Sequence, residues 1–249
     1  MPSISPVDTE KLRPVFLTAE WRSLVMLNYA VDPAILVRHL PRGLEIDFWR
    51  DEALVSMVGF RFLHTRVLGV AIPFHQDFEE VNLRFYVRRR AEEGWRRGVV
   101  FVREIVPRSM IALVARVAYN EPYLGLPMRH CVPPAGEAGR FEFGWKFRDA
   151  WCGLGAETVG EPATIAAGSA EEFIFEHYWG YTRQRDGSTA EYQVEHPRWR
   201  AWQASNSWLT GELGTLYGAG FGNALGGAPR SAFVADGSEV TVRRGTRLG

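Results

Sequence analysis

Residues 78–90 read FEEVNLRFYVRRR, and alternate positions separate an apolar set (Val81, Leu83, Phe85, Val87) from a polar one (Glu80, Asn82, Arg84, Tyr86, Arg88). Strict alternation over this length predicts a half-buried β-strand. On its polar face, Glu80, Asn82 and Arg84 offer a carboxyl, an amide and a guanidinium. Same-face neighbours on a strand lie ~7 Å apart, so adjacent members can touch, whereas Glu80 and Arg84, ~13 Å apart, meet only through long side chains or a ligand. Such a set could hold a polar, carboxylate-bearing molecule. In a low-dielectric enclosure Glu80 could also carry a raised pKa and act as general acid or base. The competing reading is a solvated face, the default for an antiparallel strand, or a buried ion pair that only fixes strand register.

Other chemistries have less support. Of 29 Lys+Arg, only Lys11 and Lys146 are lysine, so a Schiff-base mechanism has two candidates at most. Lys146 sits on the polar side of FEFGWKFRD beside Glu142 and Arg148. It reads as a solvated strand lysine, with an amine activated by Arg148 as the alternative. His177 falls on an apolar helical stripe and His196 precedes Pro197, and both read as hydrogen-bonded core histidines. His39, His64, His75 and His130 form no HxH, HxxxH or HExxH pattern, so no metal site and no cofactor are expected. Ser56, Ser109 and Ser207 lack the GxSxG context of a serine hydrolase. The stretch GELGTLYGAGFGNALGG is not a GxGxxG fingerprint and reads as a loop with small-residue packing.

The elements that must position these residues are mostly strands. WRSLVMLNYAV (21–31) reads as a strand, and Asp32-Pro33 caps a short helix over AILVRHL. LEIDFW and ALVSMVGFRFLHTRV are expected to pair as a hairpin across Arg50-Asp51-Glu52, and GVAIPFHQDF reads as a loop. FEEVNLRFYVRRR pairs with GVVFVREIV across AEEGWRR. Met110, Leu113, Val114, Val117 and Ala118 are spaced as one face of an amphipathic helix. RFEFGWKFRD alternates again. Ser169 to Glu172 forms a capping box, followed by a helical stripe of Ala170, Phe173, Ile174, His177, Tyr178 and Tyr181. SAFVADG and SEVTVRRG are expected to form a closing hairpin at Asp236-Gly237. Trp199, Trp202 and Trp208 are read as packing surface, with stacking on a planar ligand as the alternative.

Strands interspersed with a few short helices favour a β-rich α+β fold, a largely antiparallel sheet closed or folded on itself, over a doubly wound one. No repeat or polar linker divides the chain, so residues 1–249 are read as a single domain, with 1–15 loosely ordered. Lys+Arg and Asp+Glu balance at 29 each, and Arg88, Arg89, Arg90, Arg96 and Arg97 bracket Glu92-Glu93, which argues against a nucleic-acid partner. Two cysteines, Cys131 and Cys152, without metal spacing suit a reducing, cytoplasmic home. The N-terminus lacks a signal-peptide pattern, and no run reaches the ~18–20 apolar residues of a membrane span. A homo-oligomer is compatible with the sequence.

Several stretches together carry a family resemblance: LNYAVDPAILVRHLPRGLEID (27–47), FEEVNLRFYVR (78–88), AYNEPY (118–123), EHYWGYT (176–182), VEHPRWRAWQAS (194–205) and FVADGSEVTV (233–242). In this order they resemble the bacterial domain-of-unknown-function family 2071, also called YqjF-like, within the acetoacetate decarboxylase-like superfamily. The resemblance implies a cone-shaped antiparallel β-barrel with an internal ligand cavity. The superfamily's decarboxylases carry a tyrosine-x-glutamate strand, which Phe78-Glu79-Glu80 resembles, and this implies a lumenal place for Glu80. Their glycine-arginine-glutamate segment is matched only by Arg116. Where their lysine pair follows a proline, this chain has Pro122-Tyr123-Leu124, so the Schiff-base nucleophile is missing.

On this resemblance, Glu80, Asn82, Arg84, Arg116 and Tyr123 line the lumen, and Arg88 to Arg90 carry the strand out to water. The first expectation is a barrel that binds a small carboxylate or carbonyl compound. The second is a lyase, hydratase or isomerase, with Glu80 as acid/base and Arg84 or Arg116 stabilising an enolate or carboxylate.

Overall fold

The computed structural model describes residues 13–107, 120 and 122–248. In chain order the strands are β1 (Val15–Val31), β2 (Glu45–Ile46), β3 (Ala53–Val67), β4 (Val70–Ala71), β5 (Phe78–Ala91), β6 (Gly94–Val106), β7 (Tyr123–Gly125), β8 (Met128–Cys131) and β9 (Arg140–Phe147). They continue with β10 (Ala150–Glu157), β11 (Ala163–Thr164), β12 (Trp179–Arg183), β13 (Thr189–Glu195), β14 (Arg200–Gln203), β15 (Asn206–Thr210), β16 (Ser231–Arg243) and β17 (Thr246–Leu248). The helices are short: α1 (Pro33–Val37), α2 (Ala170–Phe175), α3 (Leu213–Tyr217) and α4 (Ala219–Leu225). The predicted helix over 110–118 lies outside the described residues.

Neighbouring strands run β16-β1-β3-β5-β6-β12-β13, and β13 pairs back onto β16 through Val194↔Val242 and Glu195↔Thr241. The sheet therefore closes on itself as a barrel, largely antiparallel, with β6–β12 parallel. A second sheet, β15-β10-β9-β8, covers the outside of β1 and β3. At Gly59 of β3 an added Cβ would lie 2.8 Å from the Phe143 ring and 2.9 Å from Leu154, so the glycine lets the two sheets approach.

This second layer explains the alternation in β5. Val81, Leu83, Phe85 and Val87 are fully buried with Phe143, Trp145 and Leu154, on the outside of the barrel and under the second sheet. From Glu80 to Val87 the strand is thus covered on both faces, and Glu80, Asn82 and Arg84 have only the barrel interior left to them.

Several local expectations are corrected. The predicted hairpin between LEIDFW and ALVSMV does not form: β2 pairs with β5 through Glu45↔Arg88 and Ile46↔Val87. A single Trp49↔Glu52 bridge spans the turn. The cause is Asp47, whose N–H donates to the Tyr86 carbonyl at 3.0 Å and whose carboxylate accepts from Arg97 Nε at 2.6 Å, holding the segment on β5. The loop at 69–78 contains the short β4, folded back on β3. The glycine-rich stretch forms α3 and α4 rather than a loop. Its small-residue packing is real, since a Cβ on Gly222 would stand 2.5 Å from the Gly214 Cα.

The stripe expected over 170–181 stops early. Ser169 Oγ accepts from the Glu172 N–H at 3.1 Å, as the capping box requires, but α2 ends at Phe175. Beyond it the chain joins β6 through Trp179↔Gly98 and Gly180↔Val99, so Tyr181 lies in a strand and His177 in the connection. Nor do Arg88 to Arg90 all leave for water. Arg89 turns to Glu191, which is fully buried and also accepts from Arg13 and Arg96, so this cluster ties β5, β6 and β13 together. Burial pushes the Glu191 carboxyl up, but the hydrogen bonds from Arg89 and Arg13 outweigh it and hold the group below its ordinary value.

The closing Asp236-Gly237 hairpin is also absent. β16 is continuous and pairs with β1 from Asn28↔Ser231 to Val15↔Arg243. Gly237 adopts φ 80°, and an added Cβ would sit 1.9 Å from the Trp21 carbonyl oxygen. Its turn-like backbone is used for a close crossing, not a reversal. Gly237→Ala is expected to destabilise the fold by about 1–3 kcal/mol, read as a lower urea midpoint with an unchanged m-value.

Candidate functional site in the barrel lumen

A cavity of about 340 Å³ occupies the barrel interior. Its walls are mostly apolar, with Trp21, Phe60, Phe62, Phe78, Phe101 and Trp199 prominent. Glu80, Asn82, Arg84 and Tyr123 line it together. Arg116 lies outside the described residues. Lys146 pairs with Trp151 in the second sheet and is not among the cavity-lining residues. Its spacing places it correctly on a strand, but on a sheet outside the barrel.

Glu80 is 2% exposed, and its carboxylate accepts from Asn82 Nδ2 at 2.9 Å and from the Tyr123 hydroxyl at 3.2 Å. Burial pushes its pKa up to about 7, against the opposing pull of those two hydrogen bonds and of the Arg84 charge. Near neutral pH this carboxyl is therefore poised between its acid and base forms.

Tyr123 reaches Glu80 because β7 pairs in parallel with β6, setting Tyr123 beside Glu104. Glu104 is a cavity residue that the alternation in GVVFVREIV did not reveal. The register of β5 on β6 shifts between Leu83 and Arg84, leaving Val102 as an extra residue. One face of β6 thus carries Val99, Phe101 and then Glu104 into the lumen, across from Asn82. The available signal was an acid that, with Arg103, interrupts an otherwise apolar run. The Tyr123 phenol is held well above its usual pKa, first by burial and then by the Glu104 and Glu80 carboxyls. Two carboxyls and one phenol thus share the lumen wall.

Arg84 has a different environment. Its Nη2 lies 3.9 Å from Met26 Sδ and its guanidinium 5.8 Å from the Tyr86 ring centre, while its Nε is buried without a hydrogen-bond partner. Among the described residues no carboxylate forms an ion pair with it. A guanidinium on the wall of an apolar cavity lacks the anion that such a group normally meets.

Two histidines read as core residues also line the cavity, His177 and His196. His177 Nε2 lies 3.1 Å from Asp47 Oδ2, the atom that also accepts from Arg97, and its side chain is 1% exposed. Burial lowers its pKa to about 4. His196 stacks on Trp199 with ring centres 4.1 Å apart, and burial lowers its pKa as well. Trp199 is buried on the cavity wall with its Nε1 donating to Ser238 Oγ at 2.8 Å, whereas Trp202 lies in the outer core. Among the described residues no three His, Cys, Asp or Glu side chains gather as a metal-binding group. No helix among them is long and apolar enough to cross a membrane.

A largely antiparallel sheet closed around a cavity is the architecture that the acetoacetate decarboxylase-like resemblance implies, and comparison with known proteins shows that fold. The chain belongs to the DUF2071 family, described as an uncharacterized conserved protein, whose model matches residues 18–239. It is 27% identical over 180 residues to the uncharacterized protein YqjF of Bacillus subtilis (strain 168), covering 71% of this chain and 72% of that one. Among solved structures, an acetoacetate decarboxylase from Legionella pneumophila superposes with a TM-score of 0.68 at 14% identity, covering 100% of this chain and 92% of the other. The enduracididine biosynthesis enzyme MppR, complexed with pyruvate, superposes at 0.65 with 15% identity, covering 97% and 93%. These likenesses establish the fold.

Proposed function

We propose that this protein binds a small carboxylate or carbonyl compound with an apolar body inside the barrel. The observation that carries this reading is Arg84, a lumen-wall guanidinium with no carboxylate partner among the described residues. The ligand's carboxylate takes that position, Asn82 adds an amide, and the aromatic walls receive the apolar body. Structural neighbours that act on or hold small acids support the reading by analogy of fold. The reading takes the chain as one barrel domain. It is cytoplasmic, in keeping with the free thiols of Cys131 and Cys152, and has no nucleic-acid partner.

Titration calorimetry across short aliphatic and aryl carboxylates tests the proposal. Binding of at least one acid, with a negative heat-capacity change from apolar burial, is the expected result. If no acid in the panel binds, the proposal fails.

A second reading is favoured by the Glu80 pKa of about 7 and its bond to Tyr123. Here Glu80 moves a proton at the carbon beside the ligand's carbonyl, and Arg84 stabilises the enolate or carboxylate as a lyase, hydratase or isomerase would require. No lysine lines the cavity among the described residues, so this chemistry runs without a Schiff base. Exchange of that carbon's hydrogen in deuterium oxide, followed by NMR, reads this activity directly. Exchange at the uncatalysed rate for every bound acid would leave the binding function alone.

A further inference from the structure

His177 presents an acceptor that nothing in the described chain uses. Asp47 and the imidazole face each other through Oδ2 and Nε2 at 3.1 Å, and Arg97 Nε donates to the same oxygen at 2.6 Å. Burial pushes the Asp47 carboxyl up, but the hydrogen bonds from His177 and Arg97 outweigh it and keep the group ionised. The imidazole itself is neutral near pH 7 because burial disfavours its charge. A carboxylate facing a neutral imidazole accepts the ring's one proton, so that proton sits on Nε2. Nδ1 is then a bare lone pair. It is buried, it has no partner among the described residues, and the residue that carries it lines the cavity.

Among the described residues that line the cavity, Trp21 Nε1, Thr65 Oγ1, Asn82 Oδ1, Arg84 Nε and His177 Nδ1 are buried polar atoms without a partner, and Arg84 and His177 are the two of opposite polarity that an acid with a hydroxyl could pair together. Arg84 Nε is a donor without an acceptor, and His177 Nδ1 is an acceptor without a donor. Leaving buried polar groups unpaired is costly, and a molecule that pairs both recovers that cost. A carboxylate alone answers only the first. A keto acid turns a second acceptor towards Nδ1, which gains nothing there. A hydroxy acid supplies an acceptor for Arg84 and an O–H for His177.

We propose that His177 is a specificity-determining residue, whose Nδ1 accepts the hydroxyl hydrogen of the ligand, so that the lumen selects small hydroxy acids over the same acids without the hydroxyl. The proposal rests on the carboxylate reading above and narrows its ligand class. Asp47 is the positioning residue that fixes the tautomer, and Arg97 holds Asp47 ionised.

Matched triplets test it: lactate, propionate and pyruvate, and mandelate, phenylacetate and phenylglyoxylate, each titrated calorimetrically. The hydroxy member of a triplet is expected to bind about tenfold tighter than its deoxy partner, the worth of one buried hydrogen bond. In His177→Phe that preference falls to unity.

Because His177→Phe could disturb the packing against Tyr86 and Phe173, ¹⁵N NMR of histidine in the unaltered protein supplies a second readout. The Nδ1 resonance begins in the unprotonated range and moves on adding the hydroxy acid, and the deoxy acid leaves it in place. If no acid of any triplet binds, the carboxylate reading itself is overturned, and this inference with it. If acids bind and lose affinity in Arg84→Met, yet hydroxy and deoxy members bind alike and Nδ1 does not respond, only the role of His177 is overturned. A response of Nδ1 to neither acid, with a protonated Nδ1 at the outset, refutes the tautomer.

Discussion

Arg84→Met is expected to weaken the tightest-binding carboxylate by about 3 kcal/mol, on the order of a hundredfold in Kd, with no loss of thermal stability. Both halves of that outcome follow from the same environment. Arg84 contacts a methionine sulfur and a tyrosine ring and forms no ion pair with any described carboxylate. Its removal breaks no ion pair among the described residues, and below about pH 7 the buried Glu80 carboxyl, on which its charge acts, is held in its neutral form, so no buried anion is stranded there. Methionine keeps much of the side-chain volume and removes a cation from an apolar wall, so the melting temperature should hold or rise. A guanidinium kept for register or stability would give the opposite pattern. Unchanged affinity for every acid that binds the native protein would remove Arg84 from the site.

The second large effect is a pH dependence. Glu80 has a folded-state pKa of about 7 against 4.5 for the free side chain. Between those values the folded carboxyl holds a proton that the unfolded one has released, so the native state binds more protons and loses stability as pH rises. Above about 7 the loss is complete, and below about 4.5 it vanishes. At 1.36 kcal/mol per pH unit, that interval corresponds to a difference on the order of 3 kcal/mol.

Glu80→Gln mimics the protonated form and should gain stability relative to the native protein across pH 4.5–7, reaching a plateau above it. The comparison must be made as a difference between the two proteins. His39 and His177, each lowered to about 4 by burial, act with the opposite sign. Their contribution is full above about 6.5 and is lost as pH falls towards 4, so the native profile alone is flattened. Urea midpoints measured for both proteins from pH 4 to 9 read the difference curve, and a curve without slope between 4.5 and 7 would show that Glu80 titrates normally. The same ionisation acts on binding. A carboxylate ligand meets a second negative charge once Glu80 ionises, so affinity should fall above pH 7 in the native protein and stay level in Glu80→Gln.

Much of this was legible in the sequence. Alternation marked β5 and β9, Asp32-Pro33 marked the start of α1, and Ser169 to Glu172 marked that of α2, because these signals depend on neighbours a few residues apart. The grouping of Glu80, Asn82 and Arg84 on one face was equally readable, since side chains two apart on a strand must share a side. The family stretches added the acetoacetate decarboxylase-like fold. Lys146 was also read correctly as an ordinary strand lysine.

The errors occurred where a local signal met a more distant partner. Asp236-Gly237 has turn chemistry, but β1 pairs with both halves of the segment, and a continuous ladder outweighs a local preference for reversal. The stripe through 170–181 has helical spacing, but pairing with β6 takes over after Phe175. Glu104 was concealed by a bulge at Val102, because one extra residue moves every later side chain to the other face. His177 was read as a core histidine, and it is buried, but its role depends on an Asp47 partner 130 positions away.

The sequence alone determined that residues 78–88 form a strand with an acid, an amide and a guanidinium on one side, because the two-residue period of extended backbone requires it. Which side faces a cavity was decided only by the tertiary structure. The apolar set, which by itself suggests an ordinary core with the polar set in water, is covered by the second sheet from outside, and closure of β13 onto β16 encloses the polar set. Burial on that second face raises the pKa of Glu80, leaves Arg84 without an ion-pair partner among the described residues and brings His177 to the same wall. Those properties depend on desolvation and on contacts between distant strands, neither of which is carried by the order of residues within one strand.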